Sequence, residues 1–419
     1  MKKIVVLFLL AGLCMRCSVD SLQTIYYSVN EPVFTSSEAF RNSIKVTSKV
    51  QTLSDCGKIC FYNDHLYISE PGQGIHIIDN TDPSHPQAKG YIEITGNQDM
   101  VIRDNRLYAD ALVDLVWFDL SNPAQPVLKG RMENLFPDAL PTIENDFGYD
   151  YTLCQSGIEQ GKIVTGWQLK QRKERNHYNP DSSSYDSSPT LSHGNMYGGI
   201  NKTSKTCFSL YNDYLYAVAN YQMSIIDLSG EKPEKATDDI FVSYAETVFS
   251  YRDKLLMGTP SSLTIYSVED PLLPVQYSQI MHVYSNCNPF TVEDDLVYVT
   301  VHSENLCGQT DNRLRIFDIS DATSPVEVTS YPMIHPKGLG ISRGMLFLCD
   351  AGLKIFKTDN PKTLINHQLA YYTQIDGYDF AFFNTVLMVI SDKGLYQYDY
   401  SDMIANTGNL RLLSVIPKK

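Results

Sequence analysis

The side chains with the most evident chemical potential in this chain are a series of aspartates. Asp79, Asp119, Asp227, Asp318 and Asp399 each close an apolar run, and Ser267 and Lys357 take the same place in two further copies. Gathered around one point, such carboxylates would hold a divalent cation. Their setting argues for a plainer role. In D-x-S-x-P an Asp side chain accepts a hydrogen bond from its own backbone two residues on, and proline presets the turn. The serine and lysine copies also break any ring of ligands. The acidic pairs Asp238-Asp239 and Asp294-Asp295 fall between apolar runs, where solvated turn residues are the default. His65 and His76 lie in strand-like phrases, His177 and His193 in a polar stretch read as loop, and none has a partner at ligand spacing. There is no H-E-x-x-H, no phosphate-binding Gly-Lys-Ser/Thr loop and no G-x-G-x-x-G. The residues therefore name no catalytic group, no metal ligand and no cofactor site.

The elements that would position these side chains come from a repeat. The apolar runs GIHIID, LVWFD, MSIID, LTIYS, LRIFD, LKIFK and LYQYD end at positions 79, 119, 227, 267, 318, 357 and 399. Where no extra sequence intervenes, the intervals are 40, 40, 39 and 42 residues, the period of an array built from one supersecondary unit. Each unit holds four short runs rich in Ile, Val, Tyr and Phe, parted by Asn-Asp, Pro-Gly and Asp-Pro turn signals. Four strands per unit, seven times over, predict an all-β fold: a single β-propeller of seven four-stranded blades. Residues 43–51 (SIKVTSKVQ) resemble a fourth strand and would pair with the last blade to close the ring, removing exposed edges. Residues 410–416 are the alternative for that slot.

Between the second and third units, residues 135–206 form a long insertion. Its stretch 161–174 (GKIVTGWQLKQRKE) reads as an extended edge or a member of a strand pair. Its part 176–205, rich in Ser, Asn, Gly and Tyr, has too little aliphatic surface to order itself and is expected to be a mobile loop. Residues 303–312 form a second, shorter insertion. The propeller is thus expected over 43–419, preceded by a linker over 18–42.

Residues 1–17 read as an export signal. Two lysines precede a ten-residue apolar run, Ile4 to Leu13, too short to span a bilayer. The run is followed at once by Cys14 and Cys17. This layout resembles a bacterial lipoprotein signal and makes Cys14, with Cys17 as alternative, the lipid-anchor candidate; an ordinary cleaved signal peptide is the competing reading. The formal net charge is −14. A diffuse negative surface excludes nucleic acid, whose phosphates need a basic footprint. It also leaves membrane attachment to the lipid rather than to charge. Seven further cysteines, Cys56, Cys60, Cys154, Cys207, Cys287, Cys307 and Cys349, have no C-x2-C spacing and read as strand thiols with one or two disulfides at most.

The phrases LYISEPGQGIHIIDNTDPSHP, LVWFDLSNPAQPVL and LRIFDISDATSPVEV resemble the LVIVD repeats of bacterial extracytoplasmic proteins. That resemblance implies a propeller, a location in the cell envelope and, with the lipoprotein signal, the outer membrane. It implies no catalytic residue. Two functions stay open. One is a non-catalytic binding or scaffold module for a protein or glycan partner. The other is a glycan hydrolase or lyase with its site at the central face of the ring, and fold alone does not choose between them.

Overall fold

In a computed structural model, which describes residues 22–177, 206–281, 289–302, 312–405 and 408–419, each repeated phrase is the third strand of an antiparallel sheet. Blade 1 runs Ile59–Tyr62, His65–Glu70, Gly74–Asp79, Gln87–Glu93, and blade 2 Met100–Arg103, Arg106–Ala111, Asp114–Asp119, Val127–Met132. Blade 3 is Thr206–Tyr211, Tyr214–Ala219 and Gln222–Asp227, its fourth strand split into Glu234–Lys235 and Ile240–Phe241. Blade 4 is Thr247–Tyr251, Lys254–Thr259, Ser262–Ser267, Val275–Met281, and blade 5 Phe290–Glu293, Leu296–Val301, Arg313–Asp318, Val326–Pro332. Blade 6 is Pro336–Ser342, Met345–Asp350, Leu353–Lys357, Gln368–Tyr372, and blade 7 Asp379–Phe383, Val386–Ser391, Gly394–Asp399, Arg411–Pro417. The seven-bladed propeller expected from the repeat is the observed fold.

First strands of neighbouring blades lie against one another and line the centre of the ring. Second strands are sandwiched between adjacent blades. Runs such as LYIS, LLMG and LFLC are accordingly apolar on both faces rather than alternating. The core is divided into seven clusters, one in each seam between blades. In every blade but the third, the register slips once where the third and fourth strands pair. Such bulges increase the local twist.

The chain before blade 1 departs from expectation twice. Residues 43–51 do not close the last blade: Lys45–Thr47 pairs outside the fourth strand of blade 1, and Arg411–Pro417 completes blade 7. Gly90 makes room for the added strand, since a Cβ there would stand 2.4 Å from the Thr47 carbonyl oxygen. Blade 7 takes its own following segment because a local hairpin closes a much shorter loop than pairing across the chain. Within the stretch expected to be a linker, residues 22–41 form regular structure. Leu22–Ser36 is a 15-residue strand, followed by the helix α1 (Ser37–Arg41). The strand's partner is Lys162–His177 of the insertion, aligned from Leu22 with His177 to Ser36 with Lys162. The extended reading of 161–174 therefore holds, whereas His177 ends a strand instead of lying in a loop. The helix α2 (Tyr151–Glu159) packs on this ribbon with Gly157 against the Phe34 ring. Most of 176–205, together with Cys14, Cys17, His193, Cys287 and Cys307, lies outside the described residues.

Ile77, fully buried between blades 1 and 2, measures the seam. Ile77→Asp is expected to cost upwards of ~4 kcal/mol in urea denaturation, because it buries an unpaired charge. Val127→Asp, on the exposed outer strand of blade 2, should stay within ~0.5 kcal/mol. Similar losses at both positions would contradict the assignment of the core.

Candidate functional site

The two faces of the ring differ in kind. One, the turn face, carries the hairpins between first and second strands and the turns after the third. Here the repeated aspartates do local work. Asp79 accepts from the Thr81 N–H (3.1 Å) and hydroxyl (2.7 Å), Asp119 from the Ser121 N–H (2.8 Å) and hydroxyl (2.6 Å). Asp227, Asp318 and Asp399 accept from the N–H groups of Ser229, Ser320 and Ser401 at 2.8–2.9 Å. Ser267 imitates the bond through its hydroxyl, at 3.4 Å from the Glu269 nitrogen. Hydrogen bonds to the charged form hold Asp79 down at about 2. These are turn residues. Asp294 and Asp295 occupy the two left-handed positions of a hairpin turn (φ 47° and 63°), and Asp295 pairs with Arg252 at 2.7 Å. Asp239 accepts from Ser224 and pairs with Lys235 at 2.8 Å.

The opposite face, the connection face, carries the turns between second and third strands and the crossings from blade to blade. The ribbon-bearing insertion, the segment after Met281 and the segment after Val301 all join here. Three buried carboxylates end second strands on this side. Asp110 Oδ1 accepts from the N–H groups of Gln98 (2.8 Å) and Asp99 (2.9 Å) and from the Asn97 amide (2.9 Å). Asp350 accepts from the N–H groups of Ile334 (2.8 Å) and His335 (2.6 Å) and pairs with Lys354 at 2.6 Å. Glu70 accepts from the Ser54 N–H (2.9 Å) and hydroxyl, from Tyr91 (3.0 Å), and bonds His76 at 3.0 Å. Each acid gathers donors of the adjoining connection. Their trace in the sequence is an acid where the apolar second strand ends, as in HLYISE, RLYADA and MLFLCD, a break the turn signals overshadow.

Near Asp110, Asp99 accepts from the Phe208 N–H at 2.8 Å and pairs with Lys58 at 3.3 Å, joining blades 1, 2 and 3. Lys58 keeps 40% of its side chain accessible. Burial opposes its charge, but the Asp99 carboxylate outweighs that and raises its pKa. Asp110 Oδ2 is buried without a hydrogen bond, and burial lifts this carboxyl to about 7. His76 is held below its usual range, chiefly by burial. Burial also pushes the thiols of Cys56, Cys60, Cys154 and Cys349 up to about 12, out of the range of reactive thiolates. Gly340-Ile341-Ser342-Arg343-Gly344 spells G-x-S-x-G. It is no nucleophile elbow: Ser342 ends a strand before a hairpin, and its hydroxyl lies 2.8 Å from the Tyr400 hydroxyl. Among the described residues, no three His, Cys, Asp or Glu side chains group to hold a metal ion.

The same face carries an aromatic surface. Tyr221 and Phe241, 45% and 82% exposed, lie 6.2 Å apart and 14° from parallel, with Tyr244 at 6.1 Å from Tyr221. Towards the ring's centre Phe249, also exposed, meets Phe290 edge-on at 6.5 Å. The hydrophobic periodicity that reveals buried strands is blind to such rings.

Comparison with known proteins agrees with this architecture. The LVIVD repeat family matches residues 55–93, 98–134 and 307–332, so the chain carries LVIVD repeats. No curated protein sequence matches it. Among solved structures, the Pan2 WD40 domain of Neurospora crassa aligns with a TM-score of 0.51 at 10% identity, covering 81% of this chain and 87% of its own. Hsv2 of Kluyveromyces lactis aligns at 0.47 and 12% identity over 83% and 94% of the two chains. The computationally designed Ika8 protein aligns at 0.49 and 8% identity over 87% of each. At these identities the Pan2 likeness speaks for the fold alone.

Asp110 supplies a pH test. An unfolded aspartate releases its proton near ~3.9, whereas folded Asp110 holds it to about 7. Its contribution to stability is therefore complete below ~3.9 and is lost as pH rises through about 7. Stability of the wild type should decline from pH 4 to 8 relative to Asp110→Asn, measured by denaturant melts. Parallel curves would mean that Asp110 is ionised throughout.

Proposed function

Because the chain sets LVIVD repeats on a seven-bladed propeller, we propose that it is a binding module of the bacterial cell envelope. It is anchored through lipid at Cys14, with Cys17 as the alternative, and holds a protein or glycan partner on its connection face. One observation carries the reading: the insertions join the ring on the face that carries the exposed Tyr221 and Phe241 with Tyr244 beside them, while the aspartate turns lie on the opposite face. Aromatic rings offer large, stiff contact surface at small entropic cost, which suits both sugar rings and peptide side chains.

The glycan hydrolase or lyase reading draws on Asp110, a buried carboxyl with one oxygen free of hydrogen bonds. Its other oxygen, like the Asp99 carboxylate, is committed to backbone N–H groups that organise the connection. That commitment favours binding over turnover.

Calorimetry against neutral oligosaccharides and extended peptides tests the proposal. Tyr221→Ala and Phe241→Ala are each expected to weaken the bound class by ~10-fold or more, as contact hot spots do, with unchanged melting. Ligand binding untouched by both changes would exclude this surface. Cleavage of the bound glycan, abolished by Asp110→Asn, would favour the enzyme instead. Mass spectrometry of the mature amino terminus checks the anchor: acylated Cys14 or Cys17 is expected, and a free terminus beyond Cys17 would refute it.

A further inference from the structure

The ribbon reverses the charge of the chain locally. In a protein of net charge −14, Lys162–His177 contains Lys162, Lys170, Arg172, Lys173 and Arg175 against the single acid Glu174, and Leu22–Ser36 contains only Glu31. The ribbon is braced from its ring end out to Arg172. Asn30 and Asn145 exchange side-chain amide bonds at 2.9 and 3.0 Å, Trp167 donates to the Pro141 carbonyl at 2.9 Å, and Arg172 joins Glu31 to Asp150. Lys170, Gln171 and Lys173, on either side of Arg172 in the strand, are exposed, and neither lysine has an ion pair among the described residues. Tyr26, 68% exposed, sits opposite Lys173, whose ammonium lies 5.8 Å from the ring centre. Leu169, on the same side of the ribbon as Tyr26 and Lys173, is also exposed.

The outer end of the ribbon is also where the N-terminal residues join, since Leu22 pairs with His177. At ~3.5 Å per residue, the five bonds from Cys17 to Leu22 reach at most ~18 Å, and the eight from Cys14 ~28 Å. A lipid on either cysteine therefore keeps this end within reach of the headgroups. A lysine beside an exposed tyrosine and a leucine matches the chemistry of that layer: anionic phosphates outside, and a zone where amphipathic rings settle.

We propose that the outer half of the ribbon is a membrane-contact element. Lys173 and, from the opposite side of the ribbon, Lys170 engage the headgroups of anionic phospholipid, Tyr26 enters the interface, and the part of the ribbon nearer the ring stands the ring off the bilayer. The geometry leans on the anchor proposed above, but the contact chemistry and its test do not.

The test uses a chain beginning at Ser18, which lacks the apolar run and both anchor cysteines and keeps every described strand and helix. Co-sedimentation is measured with vesicles of phosphatidylglycerol and phosphatidylethanolamine, and separately with pure phosphatidylcholine. Binding is expected only to the anionic vesicles and should fade as salt rises. At roughly fivefold per basic residue, Lys170→Gln with Lys173→Gln should lower it by ~30-fold, while Lys45→Gln with Lys49→Gln, on the edge of blade 1, should not. Equal binding to both lipids, indifference to salt, or an unchanged Lys170/Lys173 variant with wild-type melting would each overturn the proposal. Loss of glycan or peptide binding on the connection face would leave it standing.

Discussion

The seam between blades 7 and 1 is the contact on which the rest of the molecule depends. No strand crosses it, because each of these blades is completed by its own following segment. Closure therefore rests on side chains. Leu66, Ile68 and Ile78 meet Val386, Met388 and Leu395, and the Phe61 and Phe383 rings stack 4.7 Å apart and 7° from parallel. Asn80 and Gln397 exchange buried amide bonds at 3.0 and 2.8 Å, which leaves neither amide unsatisfied. Backbone adds a clasp where the Lys419 N–H donates to the Leu53 carbonyl. This seam is built like the other six, so every blade has both faces covered and the ring has no weak sector by construction.

Closure fixes two faces and frees one of them. The turn face is occupied by short hairpins, aspartate turns and, in blades 6 and 7, short helical segments. On the connection face the chain between blades is held by scattered backbone bonds, such as the Glu246 N–H to the Gly258 carbonyl, and where a buried acid gathers its N–H groups, as Asp110 and Asp350 do. Length and composition can vary beyond those fixed points at little cost to the ring, since loop closure penalties grow slowly with length. Exposed aromatic rings and the basic ribbon both sit in that freedom. The roughness of this face is thus a consequence of how the blades pack, and it is where ligand chemistry has room.

Much of the fold was legible because its signal is local. Seven apolar phrases with a shared turn predict seven third strands, and the second strands are apolar on both faces because both faces are buried. The site was less so. Asp110 and Glu70 appear as breaks in an apolar run, but only the folded connection shows which N–H groups they collect. Lys45–Thr47 and Arg411–Pro417 both read as strands, and a strand pattern states no partner. The ribbon was hidden for the same reason: Leu22 and His177 are far apart in the chain, and nothing in either segment refers to the other. Net charge concealed its basic character by averaging over an acidic body.

A double-mutant cycle across the closing seam addresses the account most directly, with Phe61→Leu and Phe383→Leu made singly and together and unfolded in urea. A ring closed by packing predicts a coupling of ~0.5–1.5 kcal/mol between the stacked rings and a single transition in every variant. Effects that add to within ~0.3–0.5 kcal/mol, or a blade 7 that melts ahead of the rest, would contradict it.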